Sequence, residues 1–557
     1  MTRPSARAVP PRLLVLALAA ALPAYAPSHA QTAVGGARAA GVVRDPAPTV
    51  RVQRYEVTGN TLLPAEQIER ALAVHVGERD LPGLRAAAQA VQALYREAGY
   101  GAVVAFVPEQ TRADGVVTIR VIEGKVSKVE VVGATRFGEG NVRESLPSLV
   151  EGETPRVRRI DAQVQLANEN PAKRTEVLLQ PGANPGEVEA RVQVEEQPPS
   201  RFTVGLDNTG NRQPGRLRAN LGYQNANLFG RDQVLSLQAQ VAPEKLDAVT
   251  VLSGNYRIPF YSAGMALDAY AAYSDVNGGS TPTAAGALQF AGKGRIAGLR
   301  LSTYLPRLGE IDQRLVLGLD HRDYDNDCSI AGLPPGACGP AGESVSVQPL
   351  AVEYIVQKGG RNAWGASIGL QHNLQIGGGH AADSRFAAVR PGSAPHYTLL
   401  RLGLFSGLTL TDDWQLQTRL VGQATNDALV PGEQFGIGGA ASVRGYDERE
   451  VTGDSGASAS VELVGPNLLG LPSPGGGPLR GGSLRPVLFA DVGWVRNRLG
   501  TPCRVNETEC SLAGVGAGLR YAAGPLQAKL DVAYALRAGN RTDRHATRAH
   551  FSVSYSF

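Results

Sequence analysis

Few stretches of this chain carry residue types at a spacing that could do chemistry. Gly365-Ala366-Ser367-Ile368-Gly369 matches the G-x-S-x-G pattern that presents a serine nucleophile on a strained strand-to-helix turn. Gly453-Asp454-Ser455-Gly456 resembles the nucleophile segment of chymotrypsin-like proteases. The first lies in an alternating stretch that reads as a strand, and no His and Asp pair in the setting of a soluble double barrel precedes the second. His372, His380 and His396 gather at irregular spacing in one predicted loop, a poor ligand set for a metal. The glycine clusters at 377–379 and 475–477 lack the following helix and lysine of a phosphate cradle. The cysteines form two close pairs in Gly/Pro/Asn-rich surroundings, Cys328 with Cys338 and Cys503 with Cys510. In an exported protein such pairs usually become local disulfides, with unpaired thiols as the alternative. No catalytic constellation emerges, and no metal or cofactor site.

One charged residue calls for a partner rather than a substrate. Arg444, in Val443-Arg444-Gly445-Tyr446, stands among apolar neighbours within a long connection at 425–455, and folded inward it needs a counter-charge. Phe489-Ala490-Asp491-Val492-Gly493-Trp494 offers one. Asp491 has the opposite phase to Leu488, Val492 and Trp494, so in a strand with one apolar face the acid points to the interior.

The elements that must position these residues belong to a Gly-rich, exported chain. Its 557 residues are 43% hydrophobic, 6% aromatic and 19% charged, with 67 Gly, and no stretch beyond the N-terminus approaches the roughly 20 apolar residues of a spanning helix. In residues 1–30, Arg3, Arg7 and Arg12 precede the apolar run Leu13 to Leu22, and Ser28-His29-Ala30 supplies a cleavage site, the pattern of a secretory signal peptide. That segment has no acid, so its removal takes three charges from the formal +4 and leaves no basic excess that would point to nucleic acid. Residues 31–49, rich in Gly, Ala and Pro, read as a linker.

From residue 50 the hydrophobic period switches in a repeated order. Val50 to Val57 reads as a strand; helical spacing follows through Ile68 and Leu72, then through Leu84, Val91 and Leu94; two strands, Ala102 to Val107 and Val116 to Ile122, complete a βααββ unit over 50–123. The order recurs over 124–200, with strands Val126 to Val132, Glu176 to Leu179 and Val188 to Val194. Gly59 and Gly133 occupy matching places, so two tandem α+β modules are expected. After Gln197-Pro198-Pro199 the helical period disappears, and residues 201–557 show sixteen alternating segments, about 22 residues per strand with its connection. In the last of them Phe551, Val553, Tyr555 and Phe557 are apolar and Ser552, Ser554 and Ser556 polar, one face for lipid and one for water. A closed antiparallel transmembrane barrel follows, since an open edge does not survive in lipid. With the modules on the inner side, the longest connections fall outside, apart from 466–483.

Taken together, the signal peptide, two βααββ modules, sixteen strands, Val443-Arg444-Gly445-Tyr446, the run through Phe489, Asp491 and Gly493, and the terminal Phe557 resemble the two-partner-secretion outer-membrane transporters of the haemolysin-activator family, across essentially the whole mature chain. Asp207-Asn208-Thr209-Gly210 and Leu179-Gln180-Pro181-Gly182 also resemble segments of that family. The resemblance implies that the modules are periplasmic polypeptide-transport-associated (POTRA) domains that capture an unfolded exoprotein, an adhesin or a cytolysin, and that the barrel secretes it. It implies that the loop at 425–455 folds into the lumen, where Arg444 pairs with Asp491. It also implies that Phe551, Val553, Tyr555 and Phe557 form a C-terminal signal read by the barrel assembly machinery. Some members carry a pore-plugging N-terminal helix, which the short, Gly-rich 31–49 segment does not favour. A barrel-assembly factor of the same superfamily and a passive porin are the alternatives; porins need no periplasmic modules.

Overall fold

A computed structural model describes residues 49–110, 114–210, 215–246, 249–275, 279–283, 286–290, 293–325, 343–470 and 482–557. The expected signal peptide, residues 31–48 of the expected linker with any plug helix, and Cys328 and Cys338 lie outside the described residues.

The first module runs β1 (Arg54–Thr58), α1 (Ala65–Leu72), α2 (Leu81–Glu97), β2 (Val103–Phe106) and β3 (Val116–Glu123). β3 is central, parallel to β1 and antiparallel to β2. Helix α2 starts where it does because the Asp80 carboxylate accepts from Gly83 N at 2.9 Å, with Pro82 in the first turn, where no amide donor is needed. Ile68, Leu72, Val91 and Tyr95 of the helices pack on Val103, Ile119 and Val121 of the sheet. The continuous strand expected from Val50 to Val57 is broken. Gln53 N donates to Gly115 O at 2.7 Å, and the preceding Val50–Val52 pairs instead with Gly77–Arg79. A loop carbonyl that claims one amide ends a ladder that periodicity alone continues.

The second module repeats the plan: β4 (Lys125–Val132), α3 (Glu139–Ser145), α4 (Val157–Ala167), β5 (Lys173–Pro181) and β6 (Glu187–Glu196), with β6 central, parallel to β4 and antiparallel to β5. The two modules share a device at the end of their first strands. Gly59 and Gly133 have φ of +82° and +91°, and a Cβ at either would lie 2.2 or 2.1 Å from the carbonyl oxygen of Val121 or Val194 on the central strand. Just beyond, the Glu123 carboxylate accepts from Thr61 N (2.7 Å), Leu62 N (3.0 Å) and the Thr61 hydroxyl, and Glu196 accepts from Thr135 N (3.0 Å), Arg136 N (2.6 Å) and Phe137 N (3.0 Å). Burial raises the pKa of each acid, but the hydrogen bonds outweigh it and hold both below the ordinary glutamate value.

Sixteen strands then close into one antiparallel barrel, as expected. They are β7 (Ser200–Asp207), β8 (Arg218–Leu228), β9 (Gln233–Val241), β10 (Thr250–Phe260), β11 (Met265–Asp275), β12 (Lys293–Leu308), β13 (Ile311–Asp325), β14 (Val345–Val347 with Pro349–Lys358), β15 (Trp364–Asn373), β16 (Thr398–Thr409), β17 (Gln415–Thr425), β18 (Ser455–Val464), β19 (Ser483–Arg496), β20 (Glu509–Ala523), β21 (Leu526–Ala535) and β22 (Thr547–Ser556). β22 pairs with β7 from Ser552↔Asp207 to Ser556↔Thr203 and so removes both edges. Leu221, Leu252, Leu299, Leu402, Leu488 and Val532 are exposed on the outer face, while Asp268, Asp320, Gln423, Asp491 and Asp531 are buried on the inner one.

The second module is fastened to the near rim of the barrel. Lys173 Nζ lies 2.5 Å from Asp232 Oδ2, both side chains essentially without exposure, and Tyr261 donates to the same carboxylate at 2.7 Å. Asn170 Nδ2 donates to Ala226 O at 2.7 Å, and Glu169 receives Arg257 at 3.3 Å and Arg314 at 2.7 Å.

Candidate functional site

The connection between β17 and β18, residues 426–454, leaves the far end of the barrel and turns back inside it. Its hairpin, Phe435–Ile437 with Val451–Gly453, pairs with itself. At its tip Val443, Arg444 and Tyr446 are all buried. The Arg444 guanidinium grips Asp491 of β19 with two parallel bonds, Nε to Oδ2 and Nη2 to Oδ1, each 2.7 Å, and Arg444 N adds a third at 3.0 Å. It also binds Glu462 of β18, Asp531 of β21 at 3.3 Å and the Ser460 hydroxyl at 3.1 Å. Arg520 of β20 bonds Asp531 at 2.5 Å and lies 3.4 Å from Glu462, and Lys529 of β21 lies 3.2 Å from Asp531. Three cations thus meet three carboxylates in one cluster.

The neighbours of Arg444 and Asp491 are fitted to this contact. Phe489 presents its ring face 3.5 Å from the guanidinium carbon, a cation–π contact. Gly493 leaves the space that Val443 fills: a Cβ there would be 2.9 Å from Val443 Cγ2. Gly445 has φ +98°, which lets the chain turn so that its N–H donates to His550 Nε2 at 3.0 Å. The Tyr446 hydroxyl lies 2.9 and 2.8 Å from Ala513 O and Arg537 O, which share its one proton. The arrangement is a lock of ionic and hydrogen-bonded contacts, with no activated nucleophile in it.

The remaining candidates fall elsewhere. Ser367 lies within the strand β15, not at an elbow, and the Ser455 hydroxyl bonds the main chain of Thr425. His372 contacts the Thr398 hydroxyl at 2.8 Å, and among the described residues no three His, Cys, Asp or Glu side chains converge on a metal position. Cys503 and Cys510 form a disulfide with a Cα separation of 6.2 Å in the connection after β19. Val553, Tyr555 and Phe557 are exposed on the outer face and Phe551 is half-buried; Phe557 exchanges main-chain bonds of 2.9 and 2.8 Å with Phe202, and their rings stack at 5.9 Å. Sequence reasoning did not single out Glu462, Asp531, Arg520 or His550 as partners of the loop; the one available signal was their lumen phase.

Residues 186–521 match the family described as haemolysin secretion/activation protein ShlB/FhaC/HecB, and residues 50–124 match the ShlB-type POTRA domain. The chain belongs to that haemolysin secretion/activation family. An outer membrane transporter CdiB of Escherichia coli O6:K15:H31 (strain 536 / UPEC) is 24% identical over 509 residues, covering 87% of this chain and 80% of the relative. The CdiB transporter of Dickeya dadantii (strain 3937) is 25% identical over 383 residues, 66% of this chain and 64% of that one. The solved structure of CdiB from Escherichia coli superposes with a TM-score of 0.74 at 20% identity, over 93% of this chain and 92% of that one. CdiB from Acinetobacter baumannii gives 0.68 at 17% identity, over 92% and 91%. These superpositions show the same fold. As a family transporter the protein places its barrel in the outer membrane and its modules in the periplasm, and it serves a secreted partner protein.

Proposed function

We propose that this transporter takes one dedicated exoprotein, unfolded, from the periplasm through its two modules and passes it through the barrel as an extended chain, without enzymatic chemistry. The observation that carries the reading is the loop at 426–454, which occupies the lumen yet pairs only with itself and is held to the wall by side chains, Arg444 above all. Such a plug withdraws by breaking a defined set of contacts and leaves the sixteen-strand wall intact. A cavity of about 1290 Å³, between Asn168, Arg174 and Gln197 of the second module and Arg307, Gln313 and Lys358 of the barrel rim, supports a route from module to lumen. The first module receives the client by strand addition along β1, where main-chain bonds give affinity and alternate side-chain pockets give specificity. The client is adhesin-like or cytolysin-like, and its folding outside makes return unfavourable. Phe551, Val553, Tyr555 and Phe557 present the last strand to lipid and to the assembly machinery during insertion.

The test compares culture supernatant and outer membrane by mass spectrometry in cells with wild type, without the gene and with Arg444→Ala. Loss of one large exported protein without the gene is the expected result. Arg444→Ala removes one partner of buried pairs, a cost of about 3–5 kcal/mol to the locked state, and is expected to leave the barrel assembled while secretion fails. A broad fall in other outer-membrane barrels would instead mark an assembly factor.

A further inference from the structure

The segment Gly453-Asp454-Ser455-Gly456 plays no part in the Arg444 lock, yet Asp454 is completely buried. Its carboxylate gathers three connections at the far end of the barrel. From the fifth (374–397), the Arg390 guanidinium binds both oxygens, Nη2 to Oδ2 at 2.9 Å. From its own, the sixth (426–454), Leu429 N donates at 2.9 Å and Gln434 Nε2 at 3.3 Å to Oδ1. From the seventh (497–508), Arg498 N donates to Oδ2 at 2.7 Å. Arg390 is itself buried, and it returns to the sixth connection through Leu429 O at 2.6 Å and to the seventh through Arg498 O at 3.4 Å.

Apolar packing carries this junction across the mouth. The short helix α5 (Asp383–Val389), directly before Arg390, buries Phe386 and Val389 against Tyr324, Val347, Leu429 and Val430. Next to Leu429, Glu433 receives Arg322 at 2.7 Å, the Tyr324 hydroxyl at 2.8 Å and Gln371 at 3.1 Å from the inner wall. The sixth connection is therefore held twice, at its tip by Arg444 and near its two ends by Glu433 and Asp454.

We propose that Arg390 and Asp454 are positioning residues that form a second latch, joining the fifth, sixth and seventh connections into one lid over the exit. Release of Arg444 alone leaves this lid in place, because none of the groups that bind Asp454 belongs to the Arg444 cluster. A client leaves only after both latches open, a step that rests on the reading that the sixth connection withdraws during transport. The lid itself is testable without a client.

The experiment treats intact cells carrying the full-length protein with external chymotrypsin and follows cleavage at Phe386, which is fully buried in the closed lid. Asp454→Asn keeps the shape and the acceptor but leaves Arg390 a buried, uncompensated charge, and it is expected to speed cleavage at least about tenfold. Arg444→Ala is expected to stay within about twofold of wild type. The double variant Arg390→Gln/Asp454→Asn removes the ionic latch without leaving an unpaired charge and is expected to be cleaved more slowly than Asp454→Asn but still at least about threefold faster than wild type. Heat-dependent mobility of the folded barrel on gels is read for every variant, so that a misassembled barrel is recognised; the double variant then carries the test. Equal cleavage in Asp454→Asn and wild type, with the barrel folded, overturns the latch; equal acceleration in Arg444→Ala and Asp454→Asn overturns its independence. Secretion failure in Arg444→Ala with Phe386 still protected separates the lid from the transport reading.

Discussion

The two periplasmic modules have one fold and the same Gly–Glu device, yet their outer edges are finished differently. In the second module the free edge of β4 is taken up at both ends of its bulge. Val126 exchanges main-chain bonds with Gly152 and Glu153, Val129 N donates to the Glu151 carboxylate at 3.1 Å, and Arg143 Nη2 donates to Val129 O at 2.7 Å. In the first module Val50–Val52 pairs with Gly77–Arg79 in the matching place, but among the described residues no side chain takes the main-chain groups of Tyr55, the counterpart of Val129. The second module is also bolted to the barrel through Lys173 and Asp232. The two sheets are thus alike, and a few side chains finish their edges differently: one is left open, and the other is sealed and anchored, the division of labour expected if the client adds a strand to the first.

The largest effect is expected from Lys173→Ala. It leaves the Asp232 carboxylate with Tyr261 but without its cation, a loss of about 3–5 kcal/mol at the junction between module and barrel. Hydrogen exchange should rise at 226–232 and 170–175 while the first module keeps its protection; unchanged exchange at the rim would show that the anchoring lies elsewhere.

Removal of the shared acids should cost less, about 2 kcal/mol each, and should be symmetrical. Glu123→Ala leaves two amides of the turn without an acceptor and Glu196→Ala three, and differential proteolysis on heating should show each variant weakening its own module. Because both acids are held below the ordinary value in the folded state, their contribution is present at neutral pH and is lost as pH falls below about 4 through the folded values. In the alanine variants that acid-dependent share of module stability should be absent.

The smallest stability change, under about 1 kcal/mol, is expected for Arg143→Ala/Glu151→Ala, since both side chains are largely solvated. Yet this pair should alter partner contacts most. It leaves the main-chain N–H and C=O of Val129 without side-chain partners, as those of Tyr55 are, and photo-crosslinking from β4 to the exoprotein should appear where wild type shows it only from β1. Equal crosslinking from both edges in wild type would remove the division of labour.

The barrel was legible from sequence because lipid and water impose a period of two on every strand, and Leu488, Val492 and Trp494 fix the phase of Asp491 without any knowledge of neighbours. The modules were legible because the period changes to that of a helix and back. Periodicity gives a facing direction but no register across strands. It could therefore place Asp531 inside the barrel without revealing that it shares Arg444 with Glu462 and Asp491, three strands whose juxtaposition depends on how the barrel closes. The break at Gln53 was hidden for a related reason, since the competing carbonyl of Gly115 lies far away in sequence. Asp454 looked like part of a nucleophile segment because spacing was all that could be read; its partners come from distant positions of its own connection and from two others.

The balance of three cations and three carboxylates around the loop tip has an electrical consequence. When Arg444 departs, Asp491, Asp531 and Glu462 face only Arg520 and Lys529. Without Arg444 these side chains carry one negative charge in excess, a difference that salt screens beyond a Debye length of about 8 Å. With the loop tip seated the six side chains balance; without it they do not.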